Sequence, residues 1–261
     1  ESGLWTLVTS TSETVVCRYA ILAIGALSEP KAPDIEGVDA FEGASYFTSS
    51  WPRDGNVDLS NKRVGVIGTG SSGVQVIPEI AKVASEVHVF QRTANYVLPA
   101  RSGPMDPNRV AELRVDPQAV RKAARETYGG QTPLRMGEER FLDLDDAARG
   151  AELQKAWDGN YIELAFRDAY LPEANAAISD FIRQRMHETV DDPKTAKRLV
   201  PWDHPYGGKR PCFSSVYLDT FNQPHVSLIA LPETPIERIV PQGIKTSAAT
   251  IPLDVIVYAT G

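Results

Sequence analysis

The chain has 261 residues, enough for one large domain or two smaller ones with an ample apolar core. It is 42% hydrophobic and 23% charged, and its formal net charge of −7 disfavours nucleic acid or an anionic membrane as a partner. No apolar run approaches a membrane span, no signal peptide is read at the start, and Cys17 and Cys212 form neither a metal-like cluster nor a disulfide framework, so a reducing cytoplasm is expected.

In chain order, residues 4–8 and 14–17 read as two strands joined across a polar turn at 9–13. Residues 18–25 read as a third strand ending in Gly25. Residues 253–261 repeat that pattern, an apolar strand followed by Ala-x-Gly, and a chain that stops there reads as a fragment of a longer protein. Residues 1–27 are thus a β segment with no glycine-rich motif of their own. Residues 28–60 are a linker rich in Pro, Asp and Gly. Residues 61–102 form a βαβ unit, and 103–201 a charge-rich helical insertion. Its helix candidates are 109–113, 118–128, 138–153 and 174–190, separated by Pro117, Gly129-Gly130, Pro133 and Pro172. Residues 202–261 begin as a loop leading into a short helix or turn. Strands at 226–231 and 236–240 follow, then a hairpin turn at 242–245.

The βαβ unit carries the chemistry. Val64, Val66 and Ile67 suit a buried parallel strand, Gly68-Thr69-Gly70-Ser71-Ser72-Gly73 follows at once, and apolar residues from 74 to 84 recur at helical spacing. Residues 87–90 are the second strand. In this context GxGxxG is a dinucleotide motif: Gly68 permits the tight turn, Gly70 a close backbone approach to a pyrophosphate, and Gly73 close helix–strand packing. The first-turn N–H groups and the helix dipole then favour the phosphates. Gln75, further along the helix, joins the cofactor-binding candidates. After the second strand stand Gln91-Arg92-Thr93, with no carboxylate for a ribose 2′-hydroxyl. The Arg92 fork and the Thr93 hydroxyl suit a 2′-phosphate, so NADPH is expected rather than NADH.

Further segments carry a resemblance. Phe41-Glu42-Gly43-Ala44-Ser45-Tyr46-Phe47-Thr48-Ser49-Ser50-Trp51-Pro52 resembles the FxGxxxHxxxWP fingerprint of Baeyer–Villiger monooxygenases. Ala23-Ile24-Gly25 and Ala259-Thr260-Gly261 are similar to the paired strand ends flanking that family's NADPH domain. His204-Pro205-Tyr206-Gly207-Gly208-Lys209-Arg210-Pro211, with Tyr217 and Thr220-Phe221-Asn222, is similar to its HP-G-KRP…Y…FN segment. Two positions depart from the pattern: Phe47 replaces the fingerprint histidine, and Ser214 stands where many relatives are acidic.

The resemblance implies an α/β fold: a Rossmann-like NADPH-binding domain with a helical insertion, plus strands of an incomplete FAD-binding domain supplied by residues 1–27 and the last strand. It implies FAD beside NADPH, and a C4a-peroxyflavin that inserts one oxygen atom of O2 next to a ketone carbonyl to give an ester or lactone. Arg210 matches the family's active-site arginine and Lys209 a residue contacting NADPH; Phe41, Gly43, Phe47, Trp51 and Pro52 are the linker fingerprint. The ketone and the oligomeric state are not readable. An N- or S-oxygenating flavin monooxygenase and, for these residues alone, a non-catalytic NADP-binding module are the alternatives. No His/Cys/carboxylate spacing suggests a metal. His88, His187 and His225 read as structural or solvated, and Ser71-Ser72 as part of the phosphate loop rather than a nucleophile elbow.

Overall fold

A computed structural model describes residues 3–25, 33–100, 103–127, 137, 139–162 and 165–260. The chain opens on an antiparallel hairpin, β1 (Trp5–Val8) and β2 (Thr14–Cys17). It reaches the main sheet with β3 (Ala44–Phe47), β4 (Arg63–Ile67), helix α1 (Ser71–Ala81) and β5 (Glu86–Gln91). A two-residue strand β6 (Val97–Leu98) leads into helices α2 (Pro107–Val115), α3 (Pro117–Arg125), α4 (Asp146–Asp158), α5 (Pro172–Glu188) and α6 (Pro193–Leu199). Then come β7 (Cys212–Phe213), α7 (Tyr217–Thr220), β8 (Val226–Ala230), β9 (Ile236–Val240), β10 (Gly243–Thr246), β11 (Thr250–Pro252) and β12 (Val255–Tyr258).

The main sheet is five-stranded and parallel, in the order β3-β12-β4-β5-β8. Its strands alternate with period two, and both faces are covered. Val64, Val66, Val87, Val89, Val255 and Val257 lie in one apolar cluster with residues of α1, α5 and α7. Ile67, Phe90, Ile256 and Tyr258 face the antiparallel meander β9–β11 through Ile239, Ile244 and Leu253. Burial on both faces explains why these strands read as near-continuous apolar runs. Gly65 leaves room for Leu253, whose Cδ1 would lie 2.5 Å from an added Cβ.

The helix starts are written in the sequence. Asp106, Asp116 and Asp192 each cap a helix with a side-chain oxygen, and each is followed by proline at the first helical position. A proline there loses no hydrogen bond and its φ is already helical, so Pro117 and Pro172, expected as breakers, open helices instead.

Several expectations are corrected. Residues 18–25 form no strand; no neighbouring strand among the described residues supplies ladder partners, and Tyr19, Ile21, Leu22 and Ile24 are exposed. The helix expected over 138–153 starts at Asp146, because the Asp168 carboxylate takes the Phe141 and Leu142 N–H groups at 2.7 and 3.2 Å, and Asp145 then caps the helix. The fingerprint within the expected linker is strand β3 of the parallel sheet. The last strand, β12, lies between β3 and β4 in that same sheet rather than leaving it. Gly129-Gly130, Pro133 and Gly261 lie outside the described residues.

Candidate functional site

The parallel strands β4, β5 and β12 deliver their carboxyl ends to one edge. From β4 the chain proceeds through α1 to β5 and on to β8 in one direction, whereas β12 lies on the other side of β4. The reversal between β4 and β12 is a topological switch point, where open α/β sheets leave a crevice for ligands. Gly68 sits at that point with φ 110, and an added Cβ would lie 2.5 Å from the Ala259 carbonyl oxygen. Gly73, in the first turn of α1, faces the Gly68 carbonyl so closely that no Cβ fits. Gly70 is different: its φ is −77 and nothing lies within 4 Å of an added Cβ. Its emptiness is open space above the backbone, as a ligand's close approach requires.

No side chain caps α1 at Gly70. The first N–H groups of the helix, those of Ser71, Ser72 and Gly73, therefore face the crevice beside the positive end of the helix dipole, a setting that suits phosphate. Ser71, Ser72, Gln75 and Arg92 are exposed, and Thr69 is buried. The Thr69 hydroxyl donates to the Thr93 carbonyl at 3.2 Å, joining the glycine loop to the end of β5. These residues fit a pyrophosphate and, at Arg92, a further phosphate.

The Lys209-Arg210 segment arrives at the same edge. β6 and β7 pair in parallel, and the Cys212 N–H donates to the Tyr96 carbonyl at 2.8 Å. Asn95 Nδ2 donates to the Arg210 carbonyl at 2.9 Å and to Cys212 Sγ at 3.4 Å. Cys212 Sγ lies 3.8 Å from Ser71 Oγ, and burial pushes its thiol pKa up, so it stays protonated. Both Lys209 and Arg210 have exposed side chains. Lys209 Nζ approaches Asp203 at 3.5 Å, and Asp203 also accepts from His204 Nδ1 at 2.6 Å, the contact that most lowers the Asp203 carboxyl pKa.

Upstream, α5 grips the same loop with polar residues at four-residue spacing. Asn175 Nδ2 donates to the Tyr206 carbonyl at 2.9 Å, and Ser179 Oγ accepts the Tyr206 N–H at 2.9 Å. Arg183 donates to the Pro201 and His204 carbonyls at 2.8 and 3.0 Å, with its guanidinium over Tyr96 and Trp202. Sequence reasoning missed Asn95, Asn175, Ser179 and Arg183. The last three share one helix face, a periodicity visible beforehand; nothing local marks Asn95.

The fingerprint lies one strand away from the glycine loop. Phe41 packs against Gly43, whose added Cβ would lie 2.5 Å from both the Phe41 ring and the Asp254 carbonyl. Phe47 stacks on Tyr258 with ring centroids 4.8 Å apart, and Trp51 tilts against Tyr46 at 5.5 Å. Half-buried Pro52 follows. Phe47 thus puts an apolar stack at the end of β12, directly before the Ala259 that Gly68 abuts.

Comparison with known proteins agrees with this geometry. The family model for pyridine nucleotide-disulphide oxidoreductases matches residues 4–107. A 2-oxo-Delta(3)-4,5,5-trimethylcyclopentenylacetyl-CoA monooxygenase of Pseudomonas putida is 39% identical over 99% of this chain and 49% of its own length. A phenazine N-monooxygenase of Lysobacter antibioticus is 37% identical over 99% and 48%, and a Baeyer–Villiger monooxygenase of Pseudooceanicola batsensis 34% over 100% and 48%. The solved structure of an oxidized steroid monooxygenase bound to NADP superposes with TM-score 0.89 at 39% identity, over 99% of this chain and 50% of that one. The chain spans about half the length of the curated relatives it matches.

Proposed function

We propose that this chain, whose homologues along its whole length include Baeyer–Villiger monooxygenases, is the NADPH-binding portion of an enzyme that uses FAD, NADPH and O2. That enzyme inserts one oxygen atom beside a ketone carbonyl, giving an ester or lactone. The observation that carries the reading is the meeting of three features at one sheet edge: an uncapped glycine loop, Arg92-Thr93 and the Lys209-Arg210 tip.

When bound, NADPH supplies the hydride and FAD the oxygen-activating chemistry. This chain's residues bind and orient. The N–H groups at Ser71, Ser72 and Gly73 hold the pyrophosphate, with Gly68, Thr69 and Gly70 shaping the approach and Gln75 beside it. Arg92, Thr93 and Lys209 hold the 2′-phosphate, for which a guanidinium fork is better suited than a carboxylate. Arg210 acts as the cation that holds developing negative charge on oxygen. The Phe41, Gly43, Phe47, Trp51 and Pro52 segment links the glycine loop's neighbour strand to the rest of the enzyme. Free Cys17 and Cys212 suit a cytoplasmic protein, and no described helix is long and apolar enough to cross a membrane.

The test uses the intact protein that contains this chain. NADPH and cyclic, linear and aryl ketones are supplied, and ester is measured together with oxygen uptake. Ester is expected, and Arg210→Ala should lower its rate on the order of 100-fold or more while NADP+ still binds. Wild-type protein that consumes NADPH but makes no ester from any of these ketones overturns the reading. A second reading, oxygenation of nitrogen, is favoured by the 37% identity to the phenazine N-monooxygenase. An aromatic N-heterocycle in the same assay discriminates it, since N-oxide without ester would select it.

A further inference from the structure

The tip carrying Lys209 and Arg210 is held on both sides. On its upstream side, α5 fixes the backbone of residues 201–206. Gly207, with φ 81, and Gly208 then give the chain freedom to turn. On the downstream side the pairing of β6 with β7 holds Cys212 and Phe213, and the Arg210 carbonyl is bonded by the side chain of Asn95. Both amide hydrogens of Asn95 are used: Nδ2 donates to the Arg210 carbonyl and to Cys212 Sγ, while Oδ1 accepts the Tyr96 N–H at 2.9 Å. Asn95 lies two residues beyond Thr93, which is itself bonded to the glycine loop through Thr69. Cys212 Sγ returns the connection to Ser71, the first residue of α1.

We propose that Asn95 is the positioning residue of Arg210. It fixes the Arg210 backbone to the end of β5, so that the guanidinium and the glycine loop hold one geometry. The inference rests on Arg210 being the cation of the proposed reaction. The residue type follows from the partners. One acceptor and two donors are needed on a single short plane. Aspartate keeps the acceptor but turns a second oxygen toward the Arg210 carbonyl, and glutamine is one methylene too long for the same three bonds.

Two measurements on Asn95→Ala and Asn95→Asp test this. The first is trypsin cleavage of the Lys209–Arg210 bond, followed by mass spectrometry in the intact protein; the next bond, before Pro211, resists trypsin. Release of the anchor should speed cleavage after Lys209 by about tenfold, the effect of losing the bond to the Arg210 carbonyl, with cleavage at other sites unchanged. The second is a double-mutant cycle on ester formation. Asn95→Ala should slow turnover by about tenfold in the wild-type background and by less than about twofold beside Arg210→Ala, because the residue acts through Arg210.

A purely structural role gives equal factors in both backgrounds, and that result overturns the proposal. So does an unchanged cleavage rate in both variants. If Asn95→Ala fails to fold, Asn95→Asp, which retains the bond to the Tyr96 N–H, carries both measurements. Absence of ester from the wild-type protein counts against the proposed reaction alone, since cleavage reads the anchoring of Arg210 without turnover.

Discussion

Within one six-residue motif, glycine serves two unrelated purposes. Gly73 is glycine because the Gly68 carbonyl occupies the place of its Cβ, and Gly68 because its φ of 110 and the Ala259 carbonyl exclude a side chain. Gly70 meets neither constraint: its φ is one any residue adopts, and the space beside it is open. Its glycine is therefore explained by something that comes to lie there. The two variants should separate. Gly70→Ala keeps the wild-type melting temperature and weakens NADP+ binding by about tenfold or more, read by calorimetric titration, because the methyl group stands between backbone and pyrophosphate. Gly73→Ala forces helix and strand apart; an overpacking cost of about 1–3 kcal/mol lowers the melting temperature by several degrees as well. Full NADP+ affinity in Gly70→Ala would remove the phosphate assignment of the loop.

Between elements, a side-chain clamp ties the amino ends of the adjacent parallel strands β4 and β12. Asp254 takes the Arg63 backbone N–H at 2.8 Å, Nε at 3.2 Å and Nη2 at 2.8 Å. The side-chain bond from Arg63 is the largest cause that brings the Asp254 carboxyl down to about 2. A carboxyl with a lowered folded-state pKa takes up its proton later than in the unfolded chain. The clamp's contribution is therefore complete above about pH 4 and is lost as pH falls from 4 toward 2. With the Asp254 side chain 36% exposed, solvent screening reduces that contribution to about 1 kcal/mol. Urea midpoints at pH 6, 4 and 3 should fall more steeply in the wild type than in Asp254→Asn; parallel curves would remove the clamp from acid sensitivity. The same contrast between local and distant partners explains what could be read beforehand. The βαβ unit was legible, since Val64, Val66, Ile77 and Ile80 announce their periods within a few residues and the glycine loop stands between them. The position of Arg92 directly after β5 was legible because that unit fixes it. Strand β3 was not: Ala44-Ser45-Tyr46-Phe47 is short and half polar, and becomes a strand only because β12, over 200 positions later, pairs with it. The start of α4 was displaced by Asp168, a partner 27 positions from Phe141. Asn95 had no local signal, because the Arg210 carbonyl it bonds lies 115 positions away. The apolar run at 18–25 promised a strand, and a strand requires neighbours to receive its hydrogen bonds.

The whole molecule is a parallel sheet between a helical layer and an antiparallel meander, and its apolar interior draws on a defined part of the chain. Neither core cluster takes a described residue earlier than Ile35. Every residue of β1 is exposed, with Trp5 at 61% and Val8 at 71%, and in β2 only Cys17 is partly covered. Burial of apolar area is the dominant stabilising term in folding, so a hairpin that buries almost none against the sheet contributes almost nothing to the stability of the nucleotide-binding layers. The switch-point crevice is likewise built from residues at 67–95 and 209–212, together with Ala259. Removal of residues 1–32 should therefore leave the melting temperature, followed by circular dichroism, within about 3 °C of the 261-residue chain. It should leave NADP+ affinity within about twofold, and should lessen self-association by removing the exposed Trp5, Val8, Tyr19, Ile21 and Leu22. A fall of 10 °C or more, or loss of NADP+ binding, would mean that the hairpin packs onto the sheet in solution. The independence of the nucleotide-binding layers from the segment before them would then be lost.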